Sequence, residues 1–262
     1  MRSIVTPGSQ AEQVGRLILA VVLVLFLPSL PLGNYLIYPF TILTTWFHEM
    51  GHGLSALLLG QHFEQLEIYA DGSGVALSSL NADSSVFTRA AIAAGGPLAP
   101  VLVGSSLIVA SAHPRSWRPV LWGMAALIVL SVALYVRSTV GFVVLPLVGG
   151  VLALVAWKGP DGLNRFTLQF LGVLGALSML RDWRYLFTEE IVLGGQNMLS
   201  DTGAIEAALL LPHWVWATVI LMTSGAAVGA SLKYALSDER RALPRRKPPA
   251  NVLQFKRDPK DR

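Results

Sequence analysis

His48, Glu49 and His52 form an H-E-x-x-H sequence inside Thr45-Trp46-Phe47-His48-Glu49-Met50-Gly51-His52-Gly53. On a helix, positions i and i+4 lie on one face, so the two imidazoles point the same way. At that spacing they can hold one zinc ion, with Zn–N distances of about 2.0–2.1 Å. Glu49 follows the first imidazole and is the candidate general base. It can take a proton from an attacking water without itself ligating the metal. From Tyr35 to Gly60, Glu49 is the only formally charged residue. An ionisable side chain in an apolar span is costly and marks a functional site. Cysteine is absent, so any metal must be held by His, Asp or Glu.

A catalytic zinc site usually has three protein ligands and one open position. The candidates for the third are Asp161, Asp182, Asp201, Glu206, His62, His113 and His213. Counting membrane crossings prunes them. If the His52 end of its helix defines the near side and each later apolar run crosses once, residues 112–118 and 158–165 lie on the far side. Arg137 and residues 181–199 then lie near. His113 and Asp161 drop out, and Asp182 and Asp201 remain. Asp182 would project from a helix C-terminus. Asp201 would open a helix behind Ser200 as N-cap, where the helix dipole favours an acid. For Asp201 an ordinary cap and a zinc ligand are both open on this reading.

These residues need elements to position them, and composition says which kind. The chain has 262 residues, 53% hydrophobic and 14% charged, with a mean hydropathy of +0.55. A soluble domain of this length carries about 25% charge. The expected architecture is an all-α polytopic membrane protein of about six to seven transmembrane helices, with a small β-hairpin after the metal-binding helix. Apolar runs at 17–32, 35–59, 86–112, 117–136, 139–157, 166–180 and 213–236 are the candidate crossings. Residues 1–16 form a polar N-terminal segment, 17–236 the transmembrane domain and 237–262 a basic disordered tail. Trp214 and Trp216 suit interfacial anchors.

Residues 61–80 differ in character. His62 to Ala70 alternates polar and apolar, Asp71-Gly72-Ser73-Gly74 supplies turn residues, and Val75-Ala76-Leu77 returns. This is a hairpin signal. A free strand edge beside the metal helix could pair with an extended substrate segment, or the hairpin could be a connector. Ala94-Gly95-Gly96-Pro97-Leu98-Ala99-Pro100 places small residues and proline in mid-membrane. It suits close helix packing, a local unwinding, or the far wall of a cleft. Residues 181–199 are mixed and carry Gly194-Gly195.

The net charge of +4 is unevenly placed. Residues 238–262 hold nine Lys/Arg against four Asp/Glu, a net of +5, whereas residues 1–237 hold 11 and 12. A basic flank of a spanning helix near anionic lipid accounts for this, and no nucleic-acid partner is expected. By the positive-inside rule the far side, with this tail, is cytoplasmic. The expected location is the cell (plasma) membrane, crossed several times.

His48-Glu49-Met50-Gly51-His52-Gly53, followed by a hairpin with Asp71-Gly72-Ser73-Gly74, resembles the M50 family of membrane metallopeptidases, especially its M50B-like branch related to site-2 proteases. Leu177-Ser178 with Asp182, and Ser200-Asp201, resemble the later motifs of that branch, so the likeness spans residues 35–236. The chain departs from site-2 proteases in lacking a Leu-Asp-Gly sequence. Its only Pro-Asp-Gly, residues 160–162, falls on the far side by the count above, and no PDZ-like or CBS-like domain is visible. The resemblance implies an intramembrane zinc protease with two His and one Asp as ligands, here His48, His52 and Asp201, and with Glu49 as general base. Its cofactor would be Zn²⁺ and its partners a membrane-protein substrate and the lipid bilayer, in an oligomeric state the sequence leaves open. The alternative is a metal-binding membrane scaffold or regulator that makes no demand on Glu49.

Overall fold

The structure, a computed structural model, describes residues 10–181, 183–193 and 196–242. Asp182, most of the polar N-terminal segment and most of the basic tail therefore lie outside the described residues. In order the elements are α1 (Gln10–Phe26), α2 (Gly33–Leu58), β1 (His62–Ile68), β2 (Gly74–Ser79), α3 (Val86–Ser111), α4 (Trp117–Leu134), α5 (Thr139–Lys158), α6 (Asp161–Arg181), the single turn α7 (Trp183–Leu186), β3 (Glu190–Leu193), β4 (Gln196–Leu199), α8 (Asp201–Leu209) and α9 (His213–Ala242). The chain is an all-α polytopic membrane protein carrying small antiparallel hairpins.

Six segments among the described residues are long and apolar enough to cross a membrane: Ala11–Ser29, Val86–Ser111, Pro114–Leu134, Thr139–Lys158, Asp161–Leu186 and His213–Ser237. Val143, Leu147, Val151 and Leu154 of α5 recur at helical spacing and are each more than half exposed, as a lipid-facing stripe must be. α2 stands outside these six although it has 26 residues. His48, Glu49, His52 and three threonines lower its hydropathy, and its middle (Ile42, Leu43, Trp46, Phe47, Glu49) is buried against its neighbours while Tyr35, Leu36 and Leu58 toward its ends are exposed. Helix bounds also differ from the apolar runs. α1 begins at Gln10, ahead of the apolar stretch, and α6 begins at Asp161 rather than after Arg165. α9 continues to Ala242, past residue 236.

Small residues set the packing at the centre. A methyl group built at Gly51 would strike the Gly95 carbonyl, and one at Gly104 would come 2.6 Å from the Gly172 carbonyl. α3 is thus held backbone-close to α2 on one side and to α6 on the other. The Gly95–Pro100 stretch acts as a packing notch, and α3 stays helical through it, with no unwinding. α2 is also pinned to α4, where the Trp46 indole N–H donates to the Ser131 hydroxyl at 2.9 Å, both side chains buried.

The two ends of the bundle follow the count of crossings. Arg118 donates to the Gly159 carbonyl (3.2 Å) and lies 3.5 Å from Asp161, so residues 112–118 and 158–165 share one end. At the other end β1 meets the α4–α5 connection. The Leu66 N–H donates to Tyr135 O (2.8 Å), and Leu66 O accepts from the Arg137 N–H (2.9 Å).

The hairpin folds back along α2. The Tyr38 hydroxyl donates to Ala70 O at 3.1 Å, and the Thr45 hydroxyl donates to Gly72 O. Gly72 has φ +91°, a conformation that favours glycine, so its place in this turn is dictated by backbone geometry. Asp71 accepts from the Ser73 hydroxyl (2.6 Å) and N–H (2.9 Å), bonds that hold its exposed carboxyl below the ordinary range. Register then decides which edge of β2 is free. Both peptide groups of Leu66 point outward to residues 135–137, and its partner across the hairpin is Ala76. In an antiparallel pair such facing residues do not exchange hydrogen bonds, so the Ala76 N–H and C=O also point away from β1. That edge of β2 faces α2.

Candidate metal centre and cleft

His48 and His52 lie on one face of α2, and their Nε2 atoms are 3.2 Å apart. The face is read through α3. A methyl at Gly96 would overlap the His52 ring and come 2.8 Å from His48 Nε2, so only glycine leaves the rings their space. The Ile92 carbonyl of α3 lies 2.8 Å from His52 Nδ1. A carbonyl can only accept, so Nδ1 carries the proton and the Nε2 lone pair turns inward.

Asp201 arrives from α8. Its Oδ2 is 3.0 Å from His48 Nε2 and its Oδ1 is 3.1 Å from His52 Nε2. A dense set of hydrogen bonds fixes it there. Ser200, the N-cap, accepts from the Gly203 N–H (3.0 Å), and its hydroxyl donates to Thr188 O. The Ser200 N–H donates to Glu189 O (2.9 Å), and the Thr202 hydroxyl donates to Leu186 O (2.7 Å). The chain after α7 thereby cradles the first turn of α8 and aims its first residue at α2.

Glu49 is 6% exposed and projects toward the hairpin, where its carboxylate accepts from the Ala76 N–H on the free edge of β2. Gly74 packs over it. A methyl there would come 2.7 Å from Thr45 Cγ2 and 2.9 Å from Glu49 Cγ. Tyr185, from α7, sets its ring 6.1 Å from that of His48 in an edge-on arrangement and interacts with Asp201.

The donor set fits a divalent cation. Nitrogen and oxygen atoms of His48, His52 and Asp201 all lie within 4.8 Å of one another. Asp201 is 8% exposed, and its two carboxylate oxygens stand 3.0 Å from His48 Nε2 and 3.1 Å from His52 Nε2. Lone pairs converging in a buried place repel unless positive charge lies among them. Two neutral imidazoles and a carboxylate suit Zn²⁺ and leave one position open.

Two cavities meet at this cluster, of about 450 and 560 Å³. They share His48, Glu49, Gly74, Tyr185 and Ile191, and so form one cleft past the two sides of Glu49. β2 walls it on one side, and a second hairpin, β3 with β4, on the other.

Of the residues singled out from sequence, His48, Glu49, His52 and Asp201 come together. Asp161 lies at the opposite end of the bundle, and His213 pairs with Glu206 at 2.9 Å. Asp182 lies outside the described residues. Sequence reasoning missed the second hairpin, although Ile191-Val192-Leu193 and Gln196-Asn197-Met198-Leu199 flank Gly194-Gly195, itself a hairpin signal. It also missed Tyr185, for which no local pattern exists, and the role of Gly96 beneath the imidazoles.

A family model described as Peptidase M50B-like matches residues 16–231. No match was found among curated proteins or among solved structures.

Proposed function

The chain belongs to the Peptidase M50B-like family, and from that premise we propose that it is an intramembrane zinc endopeptidase of the cell membrane. Its substrates are peptide bonds in or near transmembrane segments of other membrane proteins. The observation that carries this reading is the convergence of His48, His52 and Asp201 next to a buried Glu49 in an open cleft.

His48 Nε2, His52 Nε2 and the Asp201 carboxylate would hold the zinc ion. Bound there, zinc supplies Lewis acidity toward the scissile carbonyl and brings a water to a pKa of about 7. Everything else falls to the chain's own residues. The Ile92 carbonyl keeps the His52 ring in the tautomer that presents Nε2. Glu49 removes a proton from the attacking water and then delivers it to the departing amine nitrogen. Burial around Glu49 keeps other water away from the reacting atoms.

A transmembrane helix has its backbone hydrogen-bonded internally, so the scissile segment must unwind before attack. The free edge of β2 offers the replacement. The Ala76 N–H on that edge is taken by Glu49, so an extended substrate strand would pair with the remaining outward groups of the edge, such as the Ala76 carbonyl, beside Glu49.

The test is to purify Glu49→Gln and follow cleavage of a membrane-protein substrate beside wild type. Zinc content should be unchanged and the rate should fall by at least about a hundredfold. Undiminished cleavage by Glu49→Gln would remove the general base and with it this mechanism.

A further inference from the structure

Water attack on a peptide carbonyl makes two demands on the protein. One group must take the water's proton, and a hydrogen-bond donor must meet the carbonyl oxygen as it gains charge. The place for both is the junction of the two arms of the cleft, lined by His48, Glu49, Gly74, Tyr185 and Ile191. Glu49 meets the first demand. Among the other four, Tyr185 alone carries a hydroxyl.

We propose that Tyr185 is a catalytic residue, its hydroxyl donating a hydrogen bond to the scissile carbonyl oxygen as that oxygen becomes negative. The proposal rests on the proteolytic reading above and deepens it, by naming the donor that works alongside Glu49.

Three observations carry it. The first is position. Tyr185 comes from α7, whereas Glu49 belongs to α2 and leans on β2. The Tyr185 ring stands edge-on to that of His48, 6.1 Å away, and its hydroxyl lies beside Asp201. It therefore reaches the cluster of His48, His52 and Asp201 without being one of the three. A phenol donates one hydrogen bond, for which the Asp201 carboxylate is the neighbouring acceptor. A carboxylate that shares its charge with a cation accepts more weakly, and a carbonyl oxygen turning negative then becomes the better acceptor.

The second observation is that other hydroxyls of the cleft are committed. Thr41, Thr44, Thr45 and Ser178 each donate to a backbone carbonyl, and Ser73 donates to Asp71. Ser78, Arg89 and Arg184 each line one arm only, and both arginines are exposed. The third is that the turn bearing Tyr185 is anchored. Leu186 is buried, and its carbonyl accepts from the Thr202 hydroxyl at 2.7 Å, which ties α7 to the first turn of α8, where Asp201 stands. A donor fixed before the reaction needs no reorganisation during it.

In the attack, the water oxygen bonds to the carbonyl carbon, the C=O π pair moves onto oxygen, and Glu49 takes the proton. Tyr185 stabilises that oxygen and keeps its own proton. On collapse the pair returns to re-form C=O, the C–N pair leaves with nitrogen, and nitrogen receives the proton from Glu49.

The experiment compares wild type with Tyr185→Phe, as full zinc-loaded chains in detergent. The variant keeps the ring and loses only the hydroxyl. For a transmembrane substrate kcat should fall by about a hundredfold, with KM within about threefold. A phosphinic peptide, whose tetrahedral P–O group mimics the charged oxygen, should bind the variant about a hundredfold less tightly. Zinc affinity, by competition with a chelator, should stay within about threefold of wild type. A loss of zinc affinity that parallels the loss of kcat would make Tyr185 a support for Asp201 and overturn the assignment. Equal phosphinate affinity in the two chains, absent binding included, overturns it whether or not wild type cleaves anything. Selective loss of phosphinate affinity, with no cleavage by wild type, defeats the proteolytic reading alone. Should Tyr185→Phe not fold, Tyr185→Leu takes its place with the same expected losses.

Discussion

Gly96→Ala tests whether the helix interface holds the two imidazoles in register. The added methyl would overlap the His52 ring and lie 2.8 Å from His48 Nε2, inside the distance that Cβ atoms keep from other atoms. Something must move, and α3 cannot retreat easily. Gly95 is in backbone contact with Gly51, and on its other face α3 lies against α6 at Gly104 and Gly175. The rings must therefore turn aside by several tenths of an ångström to about an ångström. Metal–ligand distances tolerate about 0.2 Å. The strain should cost about 1–3 kcal/mol of stability. Displacing a ligand should weaken zinc binding by at least about a hundredfold, at or beyond the upper end of what loss of an outer hydrogen bond costs. The assay is competition for zinc against a fluorescent chelator, with thermal unfolding alongside. Gly123→Ala is the control, because nothing lies within 4 Å of a methyl built there. Zinc affinity within about twofold of wild type in Gly96→Ala would refute the reasoning, since it would mean the rings are not confined by α3.

Ser200→Ala removes the N-cap that also bonds Thr188. It should cost about 1 kcal/mol in thermal unfolding and lower zinc affinity with it, because Asp201 is the next residue. Trp46→Phe deletes the buried bond from α2 to Ser131. Denaturation should show a loss of about 1–2 kcal/mol, while zinc stoichiometry stays at wild type because the ligands are untouched. Chelation of the purified wild type should lower its Tm, and zinc added back should restore it, because an ion bound only by the folded chain stabilises that state. A chelator that leaves Tm unchanged in wild type would argue against a bound structural role for the ion.

The legible parts of this protein are those whose physics is local. Low charge and long apolar runs determine a bundle of membrane helices. An i, i+4 histidine pair with an intervening glutamate determines one face of α2 that could hold a metal ion. Alternation followed by Asp71-Gly72-Ser73-Gly74 determines the first hairpin, and Ser200 before Asp201 determines a capped helix start. All of these depend on residues within a few positions of each other. Tertiary structure decided what no short window contains. Asp201 stands about 150 positions from the histidines, and only the cradle of Leu186, Thr188 and Glu189 carbonyls brings it to them. α2 reads as a further crossing in sequence, yet its middle is covered by its neighbours, because His48, Glu49 and His52 need α3, the hairpin and α8 around them rather than lipid. Gly96 looks like any small residue in a spanning helix until α2 lies across it. The cleft likewise arises where two hairpins meet α2, α3, α6, α7 and α8. Spacing along a chain fixes direction on one element, but distances between elements exist only once the whole bundle has closed.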